Sequence, residues 1–108
     1  MLLLDHVGAK SGKRRTAPLL YVDAGEDVAI IASKGGHPKN PAWFYNLKAN
    51  PETTVRIGGE QRPVRARLAT AAEREEIWSK AVRIWPAYDE YQERSKGREI
   101  PVMVLERR

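Results

Sequence analysis

The chain has 108 residues, of which 42% are hydrophobic and 31% charged, with a formal net charge of +5 and no cysteine. That length allows one modest core, so a single domain over residues 1–108 is expected, and the absence of cysteine excludes a disulfide framework and a thiolate metal site. No apolar run approaches the roughly 20 residues that span a bilayer, and Met1-Leu2-Leu3-Leu4 is cut off by Asp5 before it could serve as the apolar region of a signal peptide. A cytosolic location is the default expectation.

Residues 2–6 predict a strand that runs into a loop rich in glycine, hydroxyls and cations, Gly8-Ala9-Lys10-Ser11-Gly12-Lys13-Arg14-Arg15-Thr16. Residues 18–22 and 28–32 read as the second and third strands, and residues 23–27 between them have hairpin turn chemistry. A second such loop follows, Ala32-Ser33-Lys34-Gly35-Gly36-His37-Pro38-Lys39-Asn40-Pro41. It leads into a helix, with Asn40 expected as N-cap and Pro41 at the first helical position. Trp43 and Leu47 share one face of that helix, and Asn50-Pro51 stops it.

Residues 53–57 and 63–68 predict a hairpin turning at Gly58-Gly59. Thr70 and Glu73 have the spacing of a capping box. In the helix that follows, Ile77, Trp78, Ala81, Val82, Ile84 and Trp85 predict one wide buried face. Pro86 breaks it, residues 87–94 read as a short third helix carrying Tyr88 and Tyr91, and residues 100–105 as a last strand. The order β-β-β-α-β-β-α-α-β with hairpin-length links predicts an α+β chain, mainly β. About six mostly antiparallel strands would form a sheet or small barrel, with helices in the crossovers.

Charge placement says more than its sum. Between His6 and Asn50 the cations Lys10, Lys13, Arg14, Arg15, Lys34 and Lys39 fall in the two loops, whereas Asp23, Glu26 and Asp27 share one turn. Glycine loops let backbone N–H groups approach a ligand, and adjacent cations attract phosphate or carboxylate. One extended anionic small molecule fits this pattern; a solvated surface is the plain alternative and nucleic acid a third reading. The Gly8-x-Lys10-Ser11 run lacks the spacing of a phosphate-binding P-loop. His6 and His37, the only histidines, have no carboxylate cluster beside them, and no nucleophile elbow is present. A chain so poor in obvious acid–base machinery suits chemistry carried by a cofactor.

Three separated motifs carry a resemblance over essentially the whole chain. They are Gly8-x-Lys10-Ser11-Gly12-x-x-Arg15-x-x-Pro18-Leu19, then Ala32-Ser33-Lys34-Gly35-Gly36 with Pro41-x-Trp43-x-x-Asn46-Leu47-x-Ala49-Asn50-Pro51, then Trp85-Pro86-Ala87-Tyr88-Asp89-Glu90-Tyr91-Gln92 with Arg98-Glu99-Ile100-Pro101-Val102. Together they resemble the deazaflavin-dependent nitroreductase family of actinobacteria, which uses coenzyme F420 and includes quinone reductases. The resemblance implies a split β-barrel, related to that of flavin-binding pyridoxamine oxidases, and an oxidoreductase that passes a hydride from reduced F420 to a quinone, enone or nitroaromatic.

By the same resemblance Ala9, Lys10, Ser11, Arg15, Thr16, Ala17, Pro18, Leu19 and Leu20 would line the phosphate and tail side of the cofactor. Ile31, Ala32, Ser33, Lys34, Ala42, Trp43 and Asn46 would approach its phosphate and ring. Tyr88 would close the ring pocket, and Tyr88 and Ser33 are the candidate catalytic residues. The F420 tail, a phosphodiester followed by glutamates, matches the anionic ligand inferred from the loops. Taken alone, Trp43 reads as core, Tyr88 as a packing residue and Ser33 as a strand-end residue satisfying backbone.

The sequence departs from the family pattern at Ala9, where arginine is usual, and at Trp85, where tyrosine is frequent. It also begins almost at the first strand, where the family commonly has a helical extension. Peripheral contact with the inner membrane face would rest on such an extension. An FMN-dependent split-barrel oxidoreductase and a non-catalytic F420 carrier stand as alternatives. An RNA-binding module comes last, for want of an aromatic-rich strand motif.

Overall fold

The computed structural model describes residues 1–36, 39–95 and 99–108; His37, expected as a surface loop residue without a role, and Arg98 of the third motif lie outside them. The strands are β1 (Leu2–Val7), β2 (Arg14–Leu19), β3 (Val22–Ala24), β4 (Asp27–Ile31), β5 (Glu52–Ile57), β6 (Glu60–Leu68) and β7 (Val102–Arg107). The helices are α1 (Ala42–Ala49), α2 (Ala71–Ile84) and α3 (Ala87–Arg94), and a short 3₁₀ turn spans Lys34–Gly36. The 7-stranded sheet has the order β2-β1-β5-β6-β7-β4-β3, and every pairing is antiparallel.

The expected second strand over residues 18–22 is replaced by two. β2 starts at Arg14 and pairs along the whole of β1, from Leu2↔Leu19 to Val7↔Arg14, and β3 follows after Leu20 and Tyr21. An edge strand with one face in water needs no apolar alternation, and Pro18, which has no N–H to give a ladder, is tolerated at an edge because one side of the strand has no neighbour to pair with. Arg14 and Arg15, expected in the first loop, are therefore strand residues, and Lys10 and Lys13 stay in the turn.

Inward residues of β1 (Leu2, Leu4), β4 (Val28, Ile30), β5 (Val55), β6 (Val64, Ala66) and β7 (Met103, Leu105) meet in one buried cluster with Trp43, Phe44 and Leu47 of α1. Strands distant in the sheet order can share a core only if the sheet curls, and the result is a split β-barrel plugged by α1. The outer faces of β4 and β7 are apolar too: Ala29, Ile31, Val102 and Val104 pack with Ile77 and Ala81 of α2 and Tyr88 of α3. These strands, covered on both sides, read as the continuous apolar runs seen in the sequence. Among the described residues no helix is long and apolar enough to cross a membrane.

Two local expectations are corrected. Pro41, at φ −67° and ψ 154°, is itself the N-cap of α1 and makes no side-chain cap bond, so Asn40 is one residue too early. The Asn40 amide instead lies 3.5 Å from the Tyr45 hydroxyl. On α2, Ile77 and Ala81 are buried and Trp78 and Val82 half-buried, but Ile84 is 63% and Trp85 46% exposed. The sheet beneath α2 ends at edge strand β3, so the last turn of the helix overhangs it.

The capping box forms as expected. Glu73 N–H donates to Thr70 Oγ1 at 3.2 Å and Thr70 N–H donates to Glu73 Oε1 at 2.9 Å. Arg67 adds a fork onto the same carboxylate, with both N–H···O distances 2.7 Å. This partner first, and the Thr70 backbone second, lower the Glu73 pKa from 4.5 to about 2. A depressed carboxylate pKa contributes stability that is present above pH ~4.5 and is lost as pH falls toward the folded value. Thermal melts are expected to show Thr70→Ala losing about 1 kcal/mol, and Glu73→Gln flattening the acid side of the stability profile.

Candidate cofactor cleft

Where the β1–β2 hairpin meets the start of α1, the surface opens into a cleft of about 550 Å³ lined by Gly8, Ala9, Lys10, Ser11, Arg15, Ala42, Tyr45 and Asn46. One wall is the hairpin turn. Gly8 N–H donates to Lys13 O at 2.9 Å and Gly12 N–H to Gly8 O at 3.0 Å. Ser11 Oγ accepts from Lys13 N–H at 3.2 Å, which leaves its own O–H free to donate. The other wall is the first turn of α1, which carries no acidic residue, so its N-terminal N–H groups and dipole favour an anion.

Strand pleat decides which residues of β2 face the cleft. Arg15 is the cross-strand partner of His6, whose side chain is buried, so both project to the inner side. Ala17 and Leu19, in phase with Arg15, pack against the barrel core. Thr16 and Pro18 point the other way: Thr16 Oγ1–H donates to Asp5 Oδ1 at 2.9 Å, and Arg56 reaches the same oxygen at 3.3 Å. The contiguous run of expected contacts over residues 15–20 is thus divided. Only the side chain of Arg15 enters the cleft wall, and Pro18 and Leu20 are exposed.

Asn46 ties the walls together. Its Oδ1 accepts from Ala9 N–H at 2.9 Å, and its Nδ2 lies 2.9 Å from His6 Nδ1. The His6 pKa is lowered from 6.5, first by burial and then by Arg15, with Asp5 opposing weakly. The imidazole is therefore neutral at physiological pH.

The remaining expected residues occupy other places. Ile31 and Ala32 are buried, as is Trp43, which belongs to the barrel core, as its spacing with Leu47 suggests. Ser33 and Lys34 follow β4, and Lys34 opens the 3₁₀ turn with φ +47°. That turn packs against α3. Tyr88 lies in the outer cluster, with ring centroids 6.0 Å from both Trp78 and Tyr91. Burial, with Tyr91 adding to it, raises its pKa above 10.0. Trp85 Nε1–H donates to Tyr91 Oη at 3.2 Å.

Gly8, which opens the first motif, and Tyr45, between the expected contacts Ala42 and Asn46, also line the cleft, and His6 backs it. Tyr45 was detectable, because residues 42, 45 and 46 stand at i, i+3 and i+4 on one helix face.

The charges around the cleft are uncompensated. Ten ion pairs engage the arginines of β5, β6 and β7, Arg74 of α2, and Lys80, Arg94 and Arg108. Among the described residues Lys10, Lys13, Arg14, Arg15 and Lys34, together with Lys48 and Arg83 on the helices, enter none of them. Two of these cations, Lys10 and Arg15, stand in the cleft wall. An extended anion fits this donor set, and so do the phosphodiester and glutamates of the F420 tail.

Comparison with known proteins agrees. The sequence profile described as F420H(2)-dependent quinone reductase matches residues 1–107. F420H(2)-dependent quinone reductase Rv1261c of Mycobacterium tuberculosis is 37% identical over 115 residues, covering 99% of this chain and 73% of that protein. The solved structure of an F420-H2 dependent reductase, FDR-A, is 44% identical with a TM-score of 0.87, over 97% of this chain and 92% of its own. The heme storage protein HutZ of Vibrio cholerae, 12% identical with a TM-score of 0.70 over 99% of this chain and 80% of its own, shares the fold alone. The chain belongs to the F420H(2)-dependent quinone reductase family, and it is an F420-dependent oxidoreductase.

Proposed function

We propose that this chain holds reduced F420 by its anionic tail in the cleft between the 8–13 turn and α1, and that the acceptor is a quinone-type molecule met beside α3. The observation that carries the first half is that Lys10 and Arg15 stand at that cleft outside any ion pair, whereas most of the other described arginines form one. Bound F420 supplies a hydride from C5 of its deazaflavin ring. Lys10 and Arg15 hold the tail, Arg15 as a two-pronged donor to phosphate or carboxylate. Ser11 O–H and the first-turn N–H groups of α1 add donors aimed at the same anion.

On the acceptor side the residues proposed are Ser33, as a hydrogen-bond partner at the end of β4, and Tyr88, as the proton donor. Burial keeps the Tyr88 phenol protonated at neutral pH, the state a donor needs. One hydride and one proton convert a quinone to its hydroquinone and return the cofactor oxidised. Holding ring and acceptor together in a water-poor pocket is the main contribution expected of the fold.

Fluorescence titration is expected to show tight F420 binding and FMN binding at least about tenfold weaker, since FMN places a single phosphate where the cleft offers several donors. Adding menadione to the protein with reduced F420 is expected to consume the reduced cofactor. Equal affinity for FMN would contradict the proposed cofactor site. Binding without turnover across several quinones would leave a carrier.

A further inference from the structure

We propose that His6 is a positioning residue of the cofactor cleft, acting through Asn46 to hold the 8–13 turn against α1. This inference rests on the F420 reading of the cleft given above. Both links tie the stretch from His6 to Ala9 to the distant helix α1: Ala9 is 37 positions from Asn46, and Asn46 is 40 from His6. His6 is 6% and Asn46 8% exposed, so water offers neither side chain a ready replacement partner.

The chemistry allows one assignment. A backbone N–H can only donate, so the Asn46 atom facing Ala9 is the carbonyl oxygen. The atom facing His6 is then the NH₂, which can only donate. His6 Nδ1 must accept, and the imidazole proton must sit on Nε2. Protonated imidazole has a donor at each nitrogen and would face the Asn46 NH₂ donor to donor. Rotating the Asn46 amide does not help, because it sets the NH₂ against the Ala9 N–H. The tether therefore holds only while His6 is neutral.

The groups around the ring favour that state. Arg15 faces it from β2, and α1 presents the uncharged Asn46. Asp5, next on its own strand, acts oppositely and less strongly. Its carboxylate is engaged by Thr16 and Arg56. Because the folded pKa lies below the usual value, the unfolded chain binds the proton more readily, and the tether is lost as pH falls through the folded value.

A loosened turn displaces Ala9, Lys10 and Ser11 relative to Ala42, the two walls that would share the anion. Cofactor affinity should then suffer while kcat at saturating cofactor is preserved. The test uses the wild type, His6→Leu, which removes the acceptor, and His6→Asn, whose side-chain oxygen can take the place of Nδ1. In the free protein, His6→Leu is expected to speed exchange of the Ala9 amide and to weaken F420 binding at pH 7.5, each about tenfold, as for the loss of one buried hydrogen-bonded link. His6→Asn is expected to restore both. It should also lose the extra weakening of F420 binding that the wild type shows between pH 7.5 and pH 5.

A folded His6→Leu variant with unchanged Ala9 exchange, or a His6→Asn variant that rescues neither quantity, would overturn the proposal. If His6→Leu does not fold, nitrogen NMR of wild-type His6 decides: a proton on Nε2 at neutral pH supports the tether, and a proton on Nδ1 overturns it. Failure of the wild type to bind F420 would instead remove the cofactor reading, and with it the role proposed for His6 in affinity. Ala9 exchange would still report whether the turn is tethered.

Discussion

Replacing Arg15 with glutamate is expected to weaken F420 binding about a hundredfold at low salt while leaving the melting temperature nearly unchanged. The side chain is exposed at the cleft wall and has no ion pair, so its loss breaks no internal contact that the fold depends on. A charge-assisted hydrogen bond contributes about 1.5–3 kcal/mol, which is roughly 10- to 150-fold in affinity, and a carboxylate in its place adds repulsion. Screening should shrink the difference as salt is raised. Arg14→Glu is the matched control, since the same charge change one residue away points to the opposite face of β2. Equal losses from the two substitutions would mean that the diffuse field of the protein, and not the cleft, attracts the cofactor. Arg15→Glu also removes the cation that helps keep His6 neutral, so the acid weakening of F420 binding should begin at higher pH.

Gly36→Ala is expected to cost about 2–4 kcal/mol, combining backbone strain with overpacking. The residue has φ +83°, and an added Cβ would lie 2.8 Å from Arg94 Cβ and 2.9 Å from Tyr91 O. Both obstacles belong to helix α3, one of them backbone, so no side-chain rotation relieves them. Either the 3₁₀ turn bearing Lys34 or the helix bearing Tyr88 must move. A melting temperature lower by roughly 10 °C or more is expected for a domain of this size. The near-ultraviolet circular dichroism of the Trp78–Tyr88–Tyr91 cluster should weaken with it. An unchanged melt would show that α3 does not pack on this turn as described. The substitution should also lower quinone turnover more than F420 affinity, because the cleft that would hold the tail lies elsewhere.

The elements marked by local chemistry were legible in the sequence. The Thr70–Glu73 capping box, the Gly58-Gly59 hairpin and the third helix all form where the residues place them. β2 was not legible, because its signal is pairing with β1 and its own sequence, Arg-Arg-Thr-Ala-Pro-Leu, reads as a loop. The exposure of Ile84 and Trp85 was equally hidden: helical spacing reports a face, but not where the sheet beneath it ends. In the site, the motifs brought Ala9, Lys10, Ser11, Arg15, Ala42 and Asn46 to one cleft. They could not show that the pleat turns Thr16 and Pro18 outward. Nor could they reveal His6, whose partner Asn46 lies on a different element and is brought near only by the fold.

The tail-binding role of the cleft is tested most directly by titrating the protein with F420 and with the same deazaflavin stripped of its phosphodiester and glutamates. Several charge-assisted contacts to the tail should make intact F420 bind at least about a hundredfold more tightly. That gap should narrow in the Arg15→Glu variant and at high salt. Equal affinity for the two compounds would contradict it, and would place the binding energy in the ring instead of at Lys10 and Arg15.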